Sequence, residues 1–223
     1  MKDVNKTVKL FQCLTIIVLF YISGYKSMFL YASTLCLYNI FMSCFSHITI
    51  KDAVENIKDN YNKFKILKYV SILVSAVCLL FLAISILLSD TINIFLNIDR
   101  TFLPYLIMGI SILPSILIKI MLEYLSSYNK PRLSYALLNT YYILEMIFLI
   151  FIGIVTMVLF KLPIHISISL LYLSKILSFI LIFIIVLFVL NRQNINFEKD
   201  DSLIDCKKIV KDIMTRNNYK SII

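Results

Sequence analysis

Four ionisable residues stand inside runs of apolar sequence: Lys119, Glu123, Glu145 and Lys175. A charge in hydrocarbon is costly, so such a residue marks either a pathway for a substrate or ion, or a pair that fixes how helices meet. At a helical rise of about 1.5 Å per residue, Glu145 lies about 18 Å into its run from the Leu133 end. Lys175 lies about 22 Å into the following run from the Leu190 end. The two runs are antiparallel neighbours, so the charges meet at similar depth and an intramembrane ion pair is expected. Two roles stay open for it: a bridge that sets helix register, or part of a polar cavity for a charged substrate or coupling ion. Lys119 and Glu123 are four apart on one helical face near the end of their run. They can pair with each other while Lys119 snorkels outward, and a structural role is the simpler reading. Pro104 and Pro114 in the same run free backbone groups and can bend it.

Little else in the chain suggests chemistry. His47 and His165 have no acidic partner nearby in sequence. There is no HExxH, no GxSxG and no Gly-rich phosphate loop. Asp200 and Asp201 adjoin in a charged tail, where solvation explains them. Cys13, Cys36, Cys44 and Cys78 fall in apolar runs and Cys206 in the tail, with no metal-ligand spacing. No catalytic residue, metal ligand or cofactor is assigned, and the chain does not read as an enzyme.

These charges need elements to hold them, and the composition says which kind. Of 223 residues, 60% are hydrophobic and 16% charged, with mean hydropathy +0.88. A soluble fold of this size has no way to bury so much apolar surface and still cover its outside, and disorder needs the opposite composition. The sequence therefore predicts an all-α polytopic membrane protein. With a bilayer core about 30 Å thick and roughly 20 residues per span, six spans are expected: 10–25, 27–50, 69–89, 101–125, 133–160 and 162–190. Residues 1–190 form the transmembrane domain and 191–223 a basic tail. The first span is also readable as a cleaved signal peptide. Lys26 implies a tight hairpin between the first two spans. Only 3 Gly are present, which leaves few obvious sites for close helix approach.

The net charge of +9 comes from 22 Lys and Arg against 13 Asp and Glu. With the N-terminus cytoplasmic and six crossings, 17 of the 22 basic residues fall on the cytoplasmic side and only Lys26, Arg100 and Lys161 on the other. That asymmetry predicts cytoplasmic N- and C-termini and removes nucleic acid as the explanation of the charge. In the link before the third span, Ala53, Val54, Ile57, Tyr61 and Phe64 recur at helical spacing opposite lysines and acids. An amphipathic helix lying at the headgroups is expected there. Leu203, Ile204, Ile209, Val210 and Ile213 repeat the pattern in the tail, with a solvated tail as the alternative.

The stretch KILKYVSILVSAVCLLFLAISILL, followed later by LEYLSSYNKPRLSYALL, resembles one six-helix half of the multidrug/oligosaccharidyl-lipid/polysaccharide exporter superfamily. The polysaccharide flippases and the stage V sporulation protein B group are the most similar branches. Their fourth helix ends in a Gln-x-x-Gly-Lys-Pro-like turn. Here Ser126-Ser127-Tyr128-Asn129-Lys130-Pro131 occupies it, with Asn129 where Gly is usual and serine where Gln is usual. The resemblance covers the layout of the chain and the motif region 123–140. It implies half of a two-bundle exporter fold, paired with a second six-helix half or a second copy, or a truncated or split product. It also implies a lipid-linked saccharide substrate carrying a diphosphate, with Lys119 and Lys175 as candidate cations.

The leading expectation is a flippase-like transporter or half-transporter in the bacterial plasma membrane, alternating access to a midplane cavity. Glu145, Lys175, Lys119 and Glu123 are its candidate substrate or coupling-ion residues. Two alternatives stand beside it: a permease subunit of an ATP-driven transporter, with 51–68 as coupling helix, and a non-transporting immunity or scaffold membrane protein.

Overall fold

The computed structural model describes residues 12–18, 24–45, 60–97, 101–126, 131–155 and 162–192, with Leu10, Tyr21, Ile50, Val54, Ile57, Leu159 and Phe160 as further positions. Among the described residues every regular element is helical. They are α1 (Tyr25–Phe45), α2 (Asn60–Phe95), α3 (Leu103–Ser126), α4 (Pro131–Phe148), which runs on as a π-helical turn (Leu149–Val155), and α5 (Ile164–Arg192). Five helices are long and apolar enough to cross a membrane. Residues 12–18 are also helical and dock on the bundle through Thr15 and Ile16. The rest of the first expected span, and the tail with its second amphipathic pattern, lie outside the described residues.

The bundle carries its apolar surface outward as well as inward. Ile72, Leu79, Leu80 and Leu87 on α2 and Ile184, Leu187 and Phe188 on α5 are exposed. In water, so extended an apolar surface would drive association; in a bilayer it is the solvent-facing side. The protein is a polytopic helical membrane protein.

Three expectations change on contact with the structure. The first concerns the third span. Its helix begins before residue 69: α2 is one unbroken helix of 36 residues, about 54 Å at 1.5 Å per residue, longer than a bilayer crossing of about 30 Å needs. Neither Gly nor Pro occurs within it, so nothing interrupts its hydrogen bonds at the lysine-rich end. The second concerns the link ahead of α2. Ile50, Val54 and Ile57 are buried in the protein core rather than laid on headgroups, joined by the bonds Val54 N–H to Ile50 O (3.0 Å) and Ile57 N–H to Val54 O (3.2 Å). Phe64 is exposed, and Ile66, Val70, Val74 and Cys78 form the buried stripe in its place. Ala53 and Tyr61 lie outside the residues whose side chains are described. The third concerns Lys26, which stands in the first turn of α1 and not between helices; Gly24 (φ 80°) immediately precedes that helix.

α3 is the central helix. It packs on all the others and is the most enclosed of the spans. Its two prolines differ in effect. Pro104 stands in the first turn, where no backbone donor is required, so it bends nothing. Pro114 is interior and leaves the Ile110 carbonyl without its helical donor. Close approach is achieved despite the low glycine count. A Cβ on Gly109 would lie 2.6 Å from Leu82 Cδ1 and 3.3 Å from Leu82 Cα, so α2 and α3 meet there. Serine adds to this: Ser85, whose Oγ lies 3.0 Å from that same Gly109 Cβ position, and Ser111, Ser167, Ser174 and Ser178 are all buried, on α2, α3 and α5, where small side chains allow close packing. Most of these hydroxyls donate to a carbonyl of their own helix, such as Ser111 to Met108 O (2.7 Å) and Ser178 to Ser174 O (2.7 Å), so they leave no unmet donor in the membrane.

The far end of α2 is closed by side-chain bonds. Asn97 adopts a left-handed conformation (φ 52°) that ends the helix. Asn93 Nδ2 donates to Thr101 O at 2.8 Å and ties α2 to the start of α3.

Candidate functional site

On α4 and the π turn that continues it, Tyr141, Glu145 and Leu149 follow one another at four-residue spacing and are all buried. On α5, Ile168, Tyr172, Lys175 and Ile182 share a buried face. The buried side chains form two apolar clusters. One contains Leu149, Ile168 and Tyr172, and the other Tyr141 and Ile182. Glu145 and Lys175 therefore lie where each helix passes from one cluster to the other, and the charges occupy the seam between them.

At that seam Lys175 Nζ donates to Glu145 Oε1 in a buried salt bridge. Glu145 is 3% exposed and Lys175 6%, so bulk water solvates neither. The remaining neighbours come from α1 and α3. Lys175 Nζ lies 4.7 Å from the centre of the Tyr38 ring, within cation–π range. The Tyr38 hydroxyl donates to Ser115 Oγ at 2.8 Å, and Ser115 Oγ in turn to Ser111 O at 2.8 Å. The Tyr172 hydroxyl donates to Thr34 Oγ1 at 3.0 Å. The Tyr172 ring stands 6.0 Å from that of Tyr31 and 6.1 Å from that of Tyr38. Four helices thus contribute to one polar centre in an otherwise apolar interior.

One group in the centre is left over. The Tyr141 hydroxyl is buried, makes no hydrogen bond of good geometry among the described residues, and has the Ser115 hydroxyl as its neighbouring polar group. Buried polar groups are nearly always bonded in folded proteins, and this one lies within electrostatic reach of Glu145, Tyr38 and Lys175.

The structure thus brings Glu145 and Lys175 together as the depth argument expects. Glu123 also reaches beyond its own helix. Its Oε2 accepts from the Ile50 N–H at 2.8 Å, so its carboxylate holds the start of the turn formed by Ile50 and Val54. Lys119 stands half-buried on α3 between Ser115 and Glu123. His165 is half-buried near the start of α5, while His47, Asp200 and Asp201 lie outside the described residues. Among the described residues no three His, Cys, Asp or Glu side chains come together to hold a metal.

Residue type alone does not mark the tyrosines and hydroxyls of the centre, because each is ordinary by itself. The signal was in their spacing. Tyr141 precedes Glu145 by one helical turn, Tyr172 precedes Lys175 by one, and Thr34 precedes Tyr38 by one. A polar residue one turn from an intramembrane charge shares its face.

No family model, curated protein or solved structure matches the chain. Its function therefore has to be argued from this centre. A buried, net-neutral pair has two stable conditions: closed as here, or opened with each partner compensated by another group. Two irregularities adjoin it: Pro114 beside Ser115, and the π turn that starts four residues after Glu145. Such turns occur frequently at functional sites, and both features are recognised places for a helix to bend.

Proposed function

We propose that the chain is a membrane transporter or half-transporter of flippase type, moving a lipid-linked saccharide or similar amphiphile, with Lys175 and Glu145 at its substrate or coupling site. The observation that carries this reading is the buried Lys175–Glu145 pair, ringed by tyrosines from α1, α4 and α5, at the seam of two apolar clusters. A bridge that served only to lock register would not need Tyr38 over the ammonium. Pro114 and the π turn supply hinges on α3 and α4, between which the centre can open. Both termini are cytoplasmic in this proposal, which the distribution of basic residues supports. A second half, from another chain or a second copy, completes the two-bundle assembly that the resemblance implies.

A subunit driven by a separate ATPase is less well supported. Its expected coupling segment, 51–68, has Val54 and Ile57 turned into the core and its second half built into α2. The test is reconstitution into vesicles with a fluorescent isoprenyl-diphosphate-linked saccharide and a membrane-impermeant quencher. Flipping extends quenching from the outer leaflet to both leaflets only when protein is present. Quenching confined to the outer leaflet at high protein density, with the protein folded, argues for the non-transporting alternative.

A further inference from the structure

α1 has a second face, turned away from the bundle. Its buried side chains, Leu30, Thr34, Tyr38 and Phe41 among them, belong to the face that packs on α2, α3 and α5. On the opposite face Phe29, Cys36, Asn39 and Ser43 are exposed and Ala32 half-exposed. These five follow one another at spacings of three, four, three and four residues. They form one stripe, of the kind through which two helices pair at a shallow left-handed crossing. All but Phe29 are small or polar, whereas the exposed sides of α2 and α5 carry Ile72, Leu79, Leu80, Ile184 and Leu187.

Asn39 decides what the stripe is for. It follows Tyr38, whose ring centre lies 4.7 Å from Lys175 Nζ. Asn39 therefore stands at the level of the buried pair, where a bilayer offers neither water nor headgroups to bond. The serines near this face meet that requirement within α1: Ser33 donates to Leu30 O at 3.0 Å and Ser43 to Ile40 O at 2.6 Å. The Asn39 amide has two donor hydrogens and an acceptor oxygen, yet makes no hydrogen bond among the described residues. Asn139 on α4 is exposed as well, but it lies about 9 Å nearer the Pro131 end than Glu145 and so closer to an interface. An amide facing hydrocarbon at mid-depth favours association, because a neighbouring helix can supply its partners.

We propose that the outer stripe of α1 is the contact between two copies of this chain, related by a twofold axis along the membrane normal, with the two Asn39 amides bonded to each other. The occupant follows from the chemistry of the stripe. Two copies in one bilayer share an orientation, so the axis sets each residue of the stripe opposite its own equivalent at equal depth. A carboxamide is both donor and acceptor, so two of them satisfy each other reciprocally. Ala32, Cys36 and Ser43 are small enough for the two backbones to approach. The interface does not rest on the transporter reading; it supplies the partner and the docking face that the reading leaves open.

The test is oxidative crosslinking in liposomes of a variant that keeps Cys36 and the buried Cys78, with Cys13, Cys44 and Cys206 changed to serine. The expected result is a covalent dimer that persists at lipid dilutions where chance collisions are rare and that Cys36→Ser abolishes. Cys44 lies about 80° around α1 from Cys36 at 3.6 residues per turn, so a variant keeping Cys44 in place of Cys36 should crosslink poorly. Asn39→Leu suits a lipid-facing position and leaves the core untouched; it should lower the dimer-to-monomer ratio about tenfold. Asn139→Leu should leave that ratio unchanged. Monomer alone at these dilutions, equal crosslinking through Cys44, or an undiminished dimer in Asn39→Leu overturns the proposal. So does a dimer lost in Asn139→Leu, which would move the contact to α4. A dimer that does not flip lipid would refute transport and leave this interface standing, whereas flipping by a monomer does the reverse.

Discussion

The Lys175 ammonium lies 4.7 Å from the centre of the Tyr38 ring while bonded to Glu145, so a single cation joins α1, α4 and α5. Neither contact could be made by a lysine that had snorkelled to the interface. The geometry commits the side chain to the interior, and several consequences follow that can be measured.

Removing one member of the pair should be far worse than removing both. Lys175→Met or Glu145→Gln alone leaves a buried group uncompensated and should cost about 3–5 kcal/mol. The double variant should recover most of that loss. Thermal unfolding of the three proteins in mild detergent, set in a double-mutant cycle, gives the coupling directly.

Tyr38 acts through its ring and its hydroxyl, and the two are separable. Tyr38→Phe keeps the aromatic face and loses the bond to Ser115 (2.8 Å), a loss of about 0.5–1.5 kcal/mol. Tyr38→Leu also removes the cation–π contact and should cost a further 0.5–2 kcal/mol, roughly. Equal stability of the Phe and Leu variants would remove the ring from the account.

Gly109 marks the closest approach of α2 and α3. A larger side chain there meets Leu82 backbone as well as side chain, so Gly109→Val should destabilise by about 1–3 kcal/mol through overpacking. A Leu82→Cys/Gly109→Cys double variant, with both changes in one chain and the native cysteines replaced, should crosslink readily in the folded protein.

Glu123 is expected to matter for local order rather than for transport. Glu123→Ala leaves the Ile50 N–H without its acceptor (2.8 Å), at about 1–3 kcal/mol if that donor stays buried. Glu123→Gln retains an acceptor oxygen and should be milder. Faster amide exchange at Ile50 and Val54 in the alanine variant, with exchange in α5 unchanged, is the expected pattern.

Much of this was readable in the residues themselves. Apolar run lengths locate α1, α3 and α5 to within a few residues, and equal depth pairs Glu145 with Lys175. What was not readable depended on tertiary neighbours. The spacing of Val54 and Ile57 marks an apolar face but cannot say whether lipid or protein covers it. Lys63, Lys65 and Lys68 suggested an interface, yet lysine does not break a helix, so α2 runs through them. Glu123 lies one turn from Lys119 and invited pairing, and only the fold shows that its carboxylate reaches the Ile50 amide. The low glycine count misled because serine, with its hydroxyl bonded to its own helix, is also small enough for close packing.

The central claim, that the Lys175–Glu145 pair serves transport, is tested most directly by the flipping assay on the doubly neutral Lys175→Met/Glu145→Gln protein. This variant restores charge balance and is expected to fold, so a loss of function cannot be blamed on a stranded ion. The account predicts that the folded double variant leaves quenching confined to the outer leaflet, as in vesicles without protein. Flipping at the wild-type rate would contradict it and reduce the pair to a structural bridge.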